Sequence, residues 1–210
     1  MTRLVVWDID GTLLDTRRGV SSALRTTLQT HGFAADAETV RRIVHAPKLP
    51  EALATCAGVP QEAVMRVTNA FRLAYSQQGI YEADLYEGIK AALESLRHAG
   101  VAQAIASYKR HDLALAICAH FGLAEYCSPI VGADESNALS KKDLIRQCLA
   151  AHECPADGAL YIGDMPTDKA AAEELCMRFL GVNYGYGFHG VPGYANEPGD
   201  IWRVLEGHIT

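Results

Sequence analysis

The 210-residue chain contains no run of about 18 apolar residues, which excludes a membrane-spanning helix of ordinary length. The apolar stretch in the opening MTRLVVWDIDG is too short for a secretory signal. Basic charge is not in excess. Nineteen lysines and arginines face 25 aspartates and glutamates, and the formal net charge of -6 argues against a nucleic-acid backbone as the main partner without forbidding an anionic substrate. The six cysteines, Cys56, Cys118, Cys127, Cys148, Cys154 and Cys176, form no Cys-x-x-Cys pair, and the eight histidines form no His-x-x-His cluster. Zinc-finger and dithiol chemistry therefore find no support. Most of the thiols are expected to be buried, Cys118, Cys148 and Cys176 because they fall among apolar residues in helical patterns, and a reduced cytoplasm is the expected location. Internal repeats, low-complexity segments and long linkers are also lacking, and nothing in the sequence indicates an oligomeric state.

What is present is a core-forming composition, 49% hydrophobic and 21% charged. Leu4 to Trp7 is a short apolar run that ends abruptly in Asp8-Ile9-Asp10-Gly11-Thr12, the profile of a buried strand feeding a polar loop. Val101 to Ala106, Pro129 to Gly132, Ala159 to Ile162 and Arg178 to Val182 repeat that theme, with amphipathic helical stretches between them. Ile89, Ala92, Leu93 and Leu96 mark one helix, stopped by Gly100. Ser140, with Asp143 three residues on, marks the start of another. Alternating strands and helices predict an α/β fold, a parallel sheet with helices on both faces. From Thr16 to Asp84 the pattern is helical throughout. Thr16 can cap a helix ended by Gly32, and Val64, Val67, Phe71 and Tyr75 share a later stripe, with shorter helices over 36–45 and 49–57. This stretch reads as a helical bundle, residues 16–84, inserted into a core of residues 1–15 and 85–210. The Gly- and Pro-rich segment from His189 to Pro198 reads as a loop.

The chemistry-bearing residues cluster where strands end. Asp8 and Asp10 leave one strand on the same side, and two such close carboxylates require either a cation between them or a proton on one of them. Gly163-Asp164-Met165-Pro166-Thr167-Asp168 follows another strand and adds two more carboxylates, an oxygen-ligand set that suits Mg2+. Ser107 closes the strand that starts at Val101. Lys141 begins a helix, where an ammonium and free N–H groups can hold phosphate oxygens, and Lys142 competes with it for that role. In the helical stretch Arg41, Arg42 and Lys48 flank the break at Ala46-Pro47, and they read either as a solvated helix end or as contacts to substrate.

DIDGT, a serine ending the next core strand, a lysine, and GDMPTD, in this order from Asp8 to Asp168, resemble the haloacid dehalogenase superfamily. The insertion between the first two motifs resembles its phosphoglycolate-phosphatase-like branch, whose helical cap lies there. The resemblance implies a Rossmann-like sheet with all four motifs at the strands' carboxyl ends, and a Mg2+-dependent phosphatase of small phosphorylated metabolites working through an aspartyl-phosphate. Asp8 would be the nucleophile and Asp10 the acid and then the base. Asp8, the Asp10 carbonyl and Asp164 would hold Mg2+, with Asp168 supporting them, while Ser107 and Lys141 would bind the phosphoryl group. Arg41 and Lys48 would contact substrate from the cap. Tyr108 departs from the pattern, standing where many members have asparagine. An acid/base aspartate at position 10 argues against dehalogenation, whose enzymes lack one. A phosphomutase of the same superfamily and a non-catalytic phosphate or metal sensor are the competing readings.

Overall fold

Four successive side chains without solvent exposure, Leu4, Val5, Val6 and Trp7, form strand β1 (Leu4–Trp7). A strand apolar on both faces needs cover on both, and a parallel sheet between helical layers provides it. The computed structural model describes residues 2–44, 46, 49–134 and 138–209. It divides into two compact units, Met1–Asp15 with Leu85–Thr210, and Thr16–Asp84.

After β1 the chain makes β2 (Leu14–Asp15), then the four helices of the second unit, α1 (Arg17–Thr30), α2 (Ala37–Val44), α3 (Leu49–Ala57) and α4 (Gln61–Gln77). It continues through β3 (Asp84–Leu85), α5 (Ile89–His98), β4 (Ala102–Arg110), α6 (His111–His120) and β5 (Ile130–Ala133). The last elements are α7 (Lys141–Ala151), β6 (Ala159–Gly163), α8 (Pro166–Glu174), β7 (Arg178–Gly181) and α9 (Pro198–Ile209). Five strands form one parallel sheet in the order β5-β4-β1-β6-β7, with Leu4 beside Ala102 on one side and Ala159 on the other. The chain builds outward from β1 to β5, returns through α7, and builds outward again to β7. This reversal opens a crevice at the carboxyl ends of β4, β1 and β6, the place where open α/β sheets bind ligands.

The two faces of the sheet follow from alternation. Leu4, Val6, Ala104 and Tyr161 pack with Leu144, Ile145 and Cys148 of α7 and Ala171 and Ala172 of α8. On the opposite face Trp7 Nε1 donates to Gln103 Oε1 (3.2 Å), and Gln103 Nε2 donates to the Leu93 carbonyl of α5 (2.9 Å). Both side chains are buried, so each of these bonds protects a group whose loss would cost about 1–3 kcal/mol.

The second unit has its own apolar centre, built from Leu24, Leu28, Val40, Ile43, Leu53, Val64, Val67 and Phe71. Asp36 starts α2, its Oδ1 accepting from the N–H groups of Glu38 and Thr39. Gly19 lets α1 approach the turn after α4, since a Cβ there would lie 1.9 Å from the Gly79 carbonyl oxygen. Among the described residues no helix is long and apolar enough to cross a membrane.

The segment from His189 forms a loop as expected, and its last residue, Pro198, opens α9, whose first turn is closed by Asp200 Oδ2 accepting from the Asn196 and Glu197 N–H groups. Two local expectations need correction. Thr16 precedes α1 without a side-chain capping bond. Cys176 is exposed at φ 52° between α8 and β7, because α8 ends before it, whereas Cys118 and Cys148 are buried.

Candidate active site

Asp8 is the first residue beyond β1, and its N–H donates to the Ile162 carbonyl of β6 (2.9 Å), which extends the sheet by one residue and fixes where its carboxylate emerges. Asp164 leaves β6 at the same level. Asp168 sits in the first turn of α8, where its Oδ2 accepts from the Met165 N–H (3.0 Å). All three aspartates are buried, and one oxygen of each lies within 4.8 Å of the others.

Lys141 enters this cluster from the start of α7. Its Nζ lies 2.7 Å from Asp8 Oδ1 and 3.0 Å from Asp168 Oδ1, and the side chain is only 4% exposed. Local sequence sets this position. The Ser140 side chain accepts from the Asp143 N–H while the Asp143 carboxylate accepts from the Ser140 N–H, so the helix starts with Lys141 facing inward. The Lys141 N–H donates to the Tyr108 hydroxyl (2.9 Å), and its ammonium stands 5.0 Å from the Tyr108 ring. Tyr108 thus has a definite place beside the lysine. Lys142 points elsewhere and pairs with Glu174 at the surface.

One ammonium among three buried carboxylates leaves negative charge in excess. Burial pushes Asp8 up to about 7; Lys141 opposes the rise, and Asp168, Asp164 and Asp10 add to it. Burial likewise pushes Asp164 up to about 6, against the hydrogen bond from Tyr186. For Lys141 burial works against its charge, but attraction to Asp8, Tyr161 and Asp168 prevails, and its pKa lies well above the ordinary value. A further cation would relieve the excess. Asp164 Oδ1 is also buried without a hydrogen-bond partner, whereas Oδ2 accepts from the Tyr186 N–H (2.6 Å). A hard divalent cation with oxygen ligands fits both the charge and the orphaned oxygen.

Asp10 stands apart from the cluster of three. Its side chain is 31% exposed and pairs with Lys109, whose side chain is 6% exposed, Nζ to Oδ1 3.1 Å. Ser107 is buried in β4, and its Oγ accepts from the Lys109 N–H (3.3 Å). Arg41 lies on α2 in the other unit, paired with Glu38 at an exposed surface, and Lys48 lies outside the described residues.

Sequence reasoning missed Lys109 and the loop 184–187. Lys109 had a readable signal, a basic residue two positions beyond Ser107, although β4 does not close at that serine as expected but runs on to Arg110. The loop Tyr184-Gly185-Tyr186-Gly187 lies far from every acidic motif, and only folding brings it to Asp164.

The haloacid dehalogenase-like hydrolase family model matches residues 5–182. A 5'-nucleotidase from Pseudomonas aeruginosa is 27% identical, over 97% of this chain and 96% of that protein. A phosphoglycolate phosphatase from Rhodospirillum rubrum is 32% identical, over 89% and 81%. Among solved structures, a haloacid dehalogenase-like family hydrolase from Streptococcus pneumoniae superimposes with a TM-score of 0.85 at 26% identity, covering 97% of this chain and 98% of that one. Protein tyrosine kinase A from Mycobacterium tuberculosis gives a TM-score of 0.81 at 29% identity, covering 97% and 98%.

Proposed function

The chain belongs to the haloacid dehalogenase-like hydrolase family, and from that premise we propose that it is a Mg2+-dependent phosphatase of small phosphomonoesters that works through an aspartyl-phosphate on Asp8. The observation that carries the reading is the buried Asp8 carboxylate held by Lys141 beside Asp164 and Asp168.

In this reading Asp8 attacks phosphorus, and the bond to the leaving oxygen breaks as Asp10 delivers a proton to it. Asp10, now a carboxylate, then takes a proton from the water that attacks the phosphoryl-aspartate, which releases phosphate and restores Asp8. Lys141 and Ser107 hold the non-bridging oxygens of the phosphoryl group, and Lys109 orients Asp10. Asp8, the Asp10 carbonyl and Asp164 would hold Mg2+, with Asp168 supporting the site from behind. When bound, the ion supplies positive charge against the phosphate and the converging carboxylates.

The relatives named as a 5'-nucleotidase and a phosphoglycolate phosphatase make a nucleoside 5'-monophosphate and phosphoglycolate the first substrates to try. The helical unit Thr16–Asp84 is proposed as a cap that shields the reaction from bulk water and large substrates, with Arg41 and Lys48 as candidate contacts to a second anionic group. The likeness to a tyrosine kinase favours one further reading, in which the phosphoryl group passes to an acceptor other than water.

Phosphate release from a panel of small phosphomonoesters, with Mg2+ and with excess chelator, tests the proposal. Release that stops in chelator and returns with Mg2+ is expected. Full turnover in chelator would overturn the metal assignment, and a phosphorylated product in place of free phosphate would favour the transferase reading.

A further inference from the structure

The loop after β7 is bonded to both segments that carry the acidic residues, the one after β6 and the one after β1. The Tyr186 N–H donates to Asp164 Oδ2 (2.6 Å), the Tyr184 hydroxyl donates to the Thr12 carbonyl (3.0 Å), and the Tyr186 hydroxyl lies 3.3 Å from Asp15 Oδ1. Its base is pinned in turn. The Asn183 N–H donates to the Ala195 carbonyl (2.7 Å), while the Asn183 side chain bonds the Val191 N–H and carbonyl and the side chain of Asn196. A loop tied at both ends can hold a neighbour in one orientation.

The neighbour it holds is the Asp164 carboxylate, which also lies between two glycines. A Cβ on Gly185 would stand 2.3 Å from Asp164 Cβ and 2.4 Å from the Gly11 carbonyl oxygen, and a Cβ on Gly11 would stand 2.3 Å from Asp164 Oδ2. Neither obstacle is the far end of a flexible chain, so a methyl group at Gly185 must displace Asp164 or the Gly11 peptide. The N–H of Tyr186 satisfies Oδ2 and leaves Oδ1 buried and unpartnered. From these contacts we infer that residues 184–187 position the cation site: the Tyr186 peptide and the space left by Gly185 fix which oxygen of Asp164 is offered to the metal. In this role the loop acts through Asp164. The inference rests on the reading of Asp164 as a metal ligand, and it adds a part of the molecule that no acidic motif marks. Outer partners that orient a ligand typically contribute about tenfold to a hundredfold in metal affinity.

The test uses Mn2+ as the probe, its free-ion EPR signal titrated against the full chain. Gly185→Ala should raise the Mn2+ dissociation constant at least about tenfold, and Asp164→Asn should abolish binding at the same site. If Asp164→Asn binds as wild type does, the metal reading itself fails. If Asp164→Asn loses binding while Gly185→Ala stays within about threefold of wild type, the metal reading stands and the positioning role is wrong. Melting in chelator separates a lost site from a lost fold. Should Gly185→Ala not fold, the wild-type chain gives the answer by NMR in Mg2+. A scalar coupling across the hydrogen bond between the Tyr186 amide nitrogen and Asp164 Cγ is expected, and its absence would overturn the inference.

Discussion

Lys141 Nζ and Asp8 Oδ1 are 2.7 Å apart, both side chains buried, although 133 residues separate them in sequence. A buried ammonium is costly unless carboxylates surround it, and three buried carboxylates are costly without a cation. Each group therefore accounts for the presence of the other. The pair also separates two adjacent lysines, since Lys142 spends its charge on Glu174 at the surface.

Replacing Lys141 with Ala should lower kcat/KM for any phosphomonoester by about a hundredfold or more, the scale of losing a charged donor in a dry site. It should also alter stability, because the buried carboxylates lose their partner. Lys142→Ala should leave kcat/KM within about twofold, as an exposed pair contributes at most about 1 kcal/mol. Steady-state kinetics on both variants checks this, and equal losses would contradict the assignment.

Asp10→Asn should slow phosphoryl-enzyme formation more with an alkyl phosphate than with p-nitrophenyl phosphate, because only the poor leaving group needs a proton on its departing oxygen. Single-turnover measurements isolate the first step from the later role of Asp10 as a base. Equal fractional losses would remove Asp10 from the first step.

On the proposed reading of the helical unit as a cap, activity should be confined to small substrates. A nucleoside monophosphate or smaller ester should be hydrolysed, and a folded phosphoprotein should not. Replacing Arg41 or Lys48 with Ala should raise KM for a doubly anionic substrate and leave p-nitrophenyl phosphate little changed. Efficient dephosphorylation of a phosphoprotein would refute the cap.

Burial pushes the thiols of Cys118 and Cys148 up to about 12 and raises Cys127 as well, whereas Cys176 is exposed. At pH 8 a thiol with a pKa of about 12 is thiolate in about one molecule in ten thousand. Iodoacetamide should therefore label Cys176 in the native protein and spare Cys118, Cys127 and Cys148 until the chain unfolds. Mass mapping before and after denaturation checks this, and early labelling of Cys118 would contradict the packing of α6.

What could be read from the sequence was whatever is local. β1 showed itself because four adjacent apolar residues are buried on both sides, and the start of α7 because Ser140 and Asp143 bond to each other's backbone. Cys176 misled because an apolar neighbourhood does not reveal that a helix stops two residues earlier. The partners of the acidic residues were hidden for a different reason. Lys109 of β4 meets Asp10, and Tyr186 meets Asp164, only after the sheet brings separate segments to one edge. Helix α9 was masked by the Gly- and Pro-rich segment before it, whose last proline opens the helix.

The central claim is that Asp8 carries the phosphoryl group. Acid-quenching the enzyme during turnover and mapping its peptides by mass spectrometry tests this most directly, with Asp8→Asn as the companion variant. The account predicts a hydroxylamine-labile phosphoryl group on Asp8 in the wild type, none in Asp8→Asn, and turnover near background in that variant. A phosphoryl group on another residue, or retention of more than about a tenth of wild-type turnover by Asp8→Asn, would contradict it.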